Sequence, residues 1–149
     1  MATISIAEVL CGQFERAWQT FRDALSPLDN EQFSSADIEW LVPRNLAYHI
    51  LETADFYSSD CNPDGFAWGH FIAKNKDQIL DYAQQVEAKV KQWLLKHRDP
   101  QFLERQSILT GTGATVLDRS LYLLRHTQHH LGQINSELRR RGLPRGQWR

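Results

Sequence analysis

The sequence predicts an all-α fold, a four-helix bundle with short irregular connections that forms one domain over residues 1–149. Three observations predict it. Apolar residues recur at alternating spacings of three and four in four long stretches, the signature of helices with one buried face. Proline and glycine punctuate those stretches. Strand-like alternation is confined to the brief FLERQSIL around residues 102 to 109, so four amphipathic helices packed on one another are the economical way to bury the apolar faces.

The first helix is expected from Ile4 to about Leu25, with Ile6, Leu10, Phe14, Trp18, Phe21 and Leu25 on its inner face. Ser26-Pro27 ends it, because proline disfavours helical geometry in the residue before it and has no N–H to donate. SPLDNEQFSSADIEW then reads as a loop. Pro43 suits the first position of a second helix, where its missing N–H costs nothing. Leu46, His49/Ile50, Thr53 and Phe56/Tyr57 form that helix's apolar stripe, with His49 inside it. SSDCNPDGFAWG breaks the pattern before a third helix from near Phe71 to His97. After a Gly-Thr-Gly turn, a fourth runs from about Ala114 to Arg141 and is closed by Gly142 and Pro144.

Composition narrows the function classes. A chain of 149 residues is long enough to bury about 70% of its extended surface around one core. Seventeen basic residues against eighteen acidic ones leave a formal charge of -1, so there is no broad basic field for a phosphate backbone and nucleic acid is not an expected partner. No apolar run approaches the roughly 18 residues that cross a bilayer. Two scattered cysteines, Cys11 and Cys61, make no disulfide framework, and a reducing cytoplasm is the expected location.

The chemistry concentrates in HTQHHLGQINSELRRRG, residues 126 to 142. His126 and His130 are four apart, so on a helix they lie almost one above the other and can converge on one ion. At 100° per residue, His130 falls roughly 80° and His126 roughly 120° from the middle of the apolar arc, on the shoulder that borders a neighbouring helix, while His129, roughly 180° away, faces solvent. His49 is the best remaining candidate for a third ligand; a lone histidine in an apolar stripe is more commonly a hydrogen-bonded core residue. No glutamate lies between His126 and His130 in the manner of His-Glu-x-x-His, so peptidase chemistry is not expected.

Trp40 and His49 in WLVPRNLAYHILE, followed by His-x-x-x-His-x-Gly-Gln-Ile at His126 to Ile134 and by Leu138-Arg139-Arg140-Arg141-Gly142, resemble the DinB/YfiT-like family of four-helix-bundle metalloenzymes. The resemblance runs over most of the chain and is sharpest in the last motif. It implies a divalent metal, typically zinc or nickel, on His49, His126 and His130. It also implies a small-molecule substrate, and for some members a low-molecular-weight thiol as cofactor of a transferase. A hydrolase, or a bundle that binds a ligand or protein without catalysis, is the alternative, and a homodimer is compatible with each.

Neighbouring residues carry weaker expectations. Glu52 and Asp55 could act as bases by proximity. Gln133 could orient a histidine, although its direction lies near the exposed flank, and Gly132 is expected to allow close approach of another helix. His70 ranks behind His49 as a ligand, and Trp40 and Trp68 could rim a pocket. Cys61 reads as an exposed, ordinary thiol, and Arg139, Arg140, Arg141, Arg145 and Arg149 as a solvated helix end.

Overall fold

A computed structural model describes residues 3–69, 75–106 and 111–149. Its helices are α1 (Ile6–Leu25), α2 (Asn30–Ser34), α3 (Pro43–Tyr57), α4 (Lys76–Leu95), α5 (Asp99–Phe102) and α6 (Val116–Arg140), with 3-10 turns at Glu39–Leu41 and Pro63–Gly65. The fold is all-α: among the described residues the sole β feature is an isolated antiparallel bridge between Arg105 and Thr115. Residues 107–109 of the strand-like FLERQSIL lie outside the described residues, as does the expected start of the third helix at Phe71.

Three of the four long helices start where a side chain satisfies free N–H groups. Reciprocal capping boxes pair Ser5 with Glu8 for α1, Asn75 with Gln78 for α4 and Thr115 with Asp118 for α6. The Ser5 cap places the start of α1 at Ile6, two residues beyond the expected Ile4. Pro43 is the first residue of α3, as its fixed φ favours. Gly113, at φ 127°, precedes the α6 cap; an added Cβ would sit 2.3 Å from Asp118 Cβ, so only glycine fits. At the other end Gly142 has φ 68°, and the Leu143 and Gly142 N–H groups donate to the Leu138 and Arg139 carbonyls at 2.8 and 3.1 Å, a Schellman ending.

Six helices rather than four result because two connections contain a short helix. Asp29 and Gln32 cap α2 reciprocally, in a segment that reads as loop, and Pro100 favours the start of α5. Each delivers one phenylalanine to the core: Phe33 is 1% and Phe102 0% exposed. Asp99 of α5 also accepts the Ile6 N–H at 2.9 Å, tying α5 to the first turn of α1. The third expected helix stops at Leu95 instead of His97, whose Nδ1–H turns back to the Trp93 carbonyl at 2.8 Å.

α1 packs on α4 and α6, and α3 packs on the same two helices from another side. Their common core includes Phe14, Trp18, Phe21, Ile50, Leu51, Val86, Leu94, Leu123, Ile134 and Leu138. Each such side chain contributes about 1.5–3 kcal/mol by leaving water. No helix among the described residues is long and apolar enough to cross a membrane.

The arginine-rich end is not simply solvated, contrary to the sequence reading. Arg140 forms a bidentate pair with the fully buried Glu137 and reaches Asp37 at 2.8 Å. Arg141 donates to the Gln32 and Ser35 carbonyls at 2.9 and 2.8 Å, and Arg149 pairs with Asp23. Arg139 and Arg145 are exposed, as expected. The last residues fold back along α1: Thr20 donates to the Gln147 carbonyl at 2.7 Å, and Gly146 lies so close to the Thr20 carbonyl that a Cβ would come within 2.3 Å of it. Asn135 holds both the N–H and the carbonyl of Gly146.

Candidate metal centre

α3 and α6 lie side by side, and that contact brings His49 against the two histidines one turn apart on α6. Ring centroids are 4.8 Å apart for His49–His126, 4.7 Å for His49–His130 and 4.5 Å for His126–His130, so the three imidazoles form a nearly equilateral triangle. The Nε2 atoms of His49 and His126 are 3.0 Å apart, and one ligand nitrogen from each of the three residues lies within 4.8 Å of the others. Zn–N bonds of about 2.0–2.1 Å put tetrahedral ligand nitrogens about 3.3 Å apart, a separation these rings reach by small side-chain rotations.

The protonation chemistry suits a cation. Burial first, and then the positive charge that His130 would carry, push the His49 pKa down, with Glu52 opposing. His126 falls to about 3, again from burial first and then from His130, His49 and His129. Burial also lowers His130, against the hydrogen bond from Gln133. Three neutral imidazoles present lone pairs at pH 7 without having to lose protons. His126 Nδ1 is buried without a hydrogen-bond partner among the described residues, as for a ring whose orientation is set by its other nitrogen.

Gln133 has a role that its position on the flank made the less favoured one. Its Oε1 is 2.6 Å from His130 Nδ1 and accepts the ring N–H, which fixes the tautomer and leaves Nε2 as the nitrogen with a lone pair to offer. Gln133 is half-buried, at the border where a flank residue can still reach back one turn. Gly132, by contrast, has no heavy atom within 4 Å of an added Cβ, so it does not serve close helix approach.

Other expectations are redrawn. His49 is exposed rather than inside the apolar stripe, because Leu46, Ala47, Ile50, Leu51 and Ala54 take the inward positions of α3 and leave His49 on its shoulder. With His126 and His130 half-buried, the triad opens to solvent instead of lying enclosed between helices. His129 is exposed, as its angle predicts. Glu52 accepts from the Tyr48 hydroxyl and the Gly69 N–H, while Asp55 accepts from Tyr82 at 2.7 Å and pairs with Lys89. Both carboxylates are therefore engaged in structural bonds. His70 lies outside the described residues.

A row of aromatic rings leads away from the triad, and the sequence reading missed it. Tyr122 stacks on His126 at 5.9 Å, Tyr57 meets Tyr122 at 5.3 Å, Phe56 meets Tyr57 at 5.1 Å and Trp68 meets Phe56 at 4.9 Å. The signal for part of it was present, since Tyr122 stands one turn before His126 on the same face. Trp68 ends the row at 49% exposure, whereas Trp40 is 74% exposed in its 3-10 turn.

Comparison with family models, with curated proteins and with solved structures gives no match. What the fold and this geometry define is an all-α protein carrying a three-histidine group able to hold a metal ion.

Proposed function

We propose that this chain is a metal-dependent enzyme built as a four-helix bundle of the DinB/YfiT-like type, with zinc or nickel on His49, His126 and His130, and that it transfers a low-molecular-weight thiol to an electrophile. The observation that carries the reading is the convergence of three neutral imidazoles from two helices, at 4.5 to 4.8 Å between ring centroids. A divalent cation held by three neutral ligands supplies Lewis-acid activation, lowering the pKa of a thiol or water that reaches it.

The chain's own residues supply orientation and a binding wall. Gln133 holds His130 in the ligating tautomer, and Tyr122 packs on the His126 ring. The row from Tyr122 to Trp68 offers an apolar wall for the organic part of an electrophile. Glu52 and Asp55 are both committed to other bonds, so a thiol would bind the cation as the thiolate with its proton released to solvent rather than to a carboxylate.

The test is metal analysis of tag-free protein, followed by zinc and nickel titration. Near-stoichiometric metal that is lost in a His126→Ala/His130→Ala variant of unchanged helicity is the expected result, with Gln133→Ala weakening affinity about tenfold. A wild-type chain that neither retains nor takes up either metal overturns the reading. If metal binds but candidate thiols and electrophiles react only at the uncatalysed rate, the enzyme assignment falls and a metal-binding bundle is left.

A further inference from the structure

Two turns before His126, α6 carries a buried arginine that the metal reading does not use. Arg119 is 7% exposed, yet among the described residues no carboxylate pairs with it. Its Nη1 donates to the Cys61 sulfur at 2.9 Å and weakly to the Ser59 carbonyl at 3.5 Å. The guanidinium carbon stands 4.7 Å over the Trp93 ring, and Nε is buried with no hydrogen-bond partner among the described residues. A buried guanidinium normally costs several kcal/mol unless an anion compensates it. Neutral acceptors and a π face hold this one in place and leave its charge uncompensated.

Arg119 lines a cavity of about 310 Å³ between the end of α4, α5 and the start of α6. Lys96 and Arg105 stand exposed at its rim, and half-buried His97 is part of its wall. Burial lowers the His97 pKa and Arg119 adds to that, so the ring is a neutral hydrogen-bonding group. Asp60 and Glu104, the two carboxylates in the lining, are exposed and form no ion pair with Arg119. Three permanent cations therefore face two acids, and the innermost charge is a cation. The cavity is the size of a small-molecule site.

We propose that this cavity binds a small oxyanion, the phosphate or carboxylate group of a small molecule, with Arg119 as its anchor and Lys96 and Arg105 as its rim. The guanidinium is pre-oriented by Trp93 and Cys61, so little freedom is lost when an oxyanion docks, and its planar fork suits two oxygens at once. This site is separate from the histidine triad and does not depend on a metal.

The test is a titration of the full-length chain with inorganic phosphate and, in a second arm, succinate, at constant ionic strength held with chloride. Binding is followed by NMR at the indole N–H of Trp93, which lines the cavity in every variant, and, where the arginine is kept, at the Arg119 Nε–Hε resonance, assigned by its absence in Arg119→Lys. The expected result is a saturable shift with at least one anion, the stronger arm identifying which oxyanion the cavity prefers. Arg119→Lys weakens that binding by about tenfold or more, through loss of the bidentate fork. Lys96→Ala/Arg105→Ala, at exposed positions that leave the core intact, weakens it several-fold, and His126→Ala leaves it unchanged. No saturable shift up to about 50 mM of either anion overturns the proposal. So does binding indifferent to the rim variant, or binding that follows His126 instead. Should Arg119→Lys fail to fold, the wild-type titration and the rim variant decide.

Discussion

The two halves of α6 treat their polar groups in opposite ways. From Asn135 to Arg141 the polar side chains that turn inward are paired: Glu137 with Arg140, Asn135 with the Gly146 backbone, Arg141 with two carbonyls. From Arg119 to Thr127 the same helix holds buried side-chain atoms with no partner among the described residues, namely Arg119 Nε, His126 Nδ1 and Thr127 Oγ1. Buried polar groups are nearly always hydrogen-bonded, because leaving one unpaired forfeits its hydration for nothing. The last turns of α6 thus pair their inward polar groups, while the unpaired atoms lie between Arg119 and Thr127, beside the cavity and the histidine group.

Three measurements of melting temperature sharpen or break that contrast. The largest effect is expected from the paired half. Glu137→Ala removes a fully buried carboxylate and its three hydrogen bonds from Arg140, and should lower the melting temperature by roughly 5 to 10 °C while zinc affinity is unchanged. A change in zinc affinity without a change in melting would mean that the Glu137–Arg140 pair serves the histidine group rather than the fold.

A smaller effect follows from acid. His126 titrates at about 3 in the folded chain against 6.5 for a free histidine, so between those values the unfolded chain binds a proton that the folded one does not. Stability of metal-free protein should therefore fall as pH drops below 6.5, with the shifts at His49 and His130 adding in the same direction. His126→Ala should flatten that slope; parallel profiles for the two proteins would contradict it.

The smallest effect belongs to Thr127, fully buried with its hydroxyl unbonded. Thr127→Val keeps the shape and removes the unpaired group, and should leave melting unchanged or raise it by about 1–3 °C. A fall of several degrees would mean that the hydroxyl has a partner in solution.

Much of this architecture was readable before any coordinates. Pro43, the Gly-Thr-Gly turn before the last helix and Gly142 after it announce helix ends because each satisfies a specific backbone need. The i,i+4 spacing of His126 and His130 puts their rings side by side, as the structure has them, since neighbours on one helix are fixed by its pitch. What was not readable depends on meetings between distant segments. His49 was assigned to the stripe, but a shoulder position differs from an inward one by a helix rotation that periodicity alone does not determine. Arg140 and Arg149 resemble any solvated arginines until Asp37 and Asp23 arrive from elsewhere in the chain. Cys61, expected to be exposed, is 5% exposed because Arg119 and the carbonyls of Phe56 and Ser59 close over it. The short α2 and α5 escaped because one turn of helix has too few residues for a period.

The cover over Cys61 makes its thiol a clock for the connection in which it sits. Its backbone is in the left-handed region, at φ 53°, and its sulfur is hidden, so an alkylating reagent can reach it only after that connection opens. The labelling rate of Cys61, set against that of the half-buried Cys11, thus reports the opening free energy of the segment between the helix that carries His49 and the wall of the Arg119 cavity. One sulfur atom, chemically silent in the closed molecule, gives a local stability reading beside Arg119.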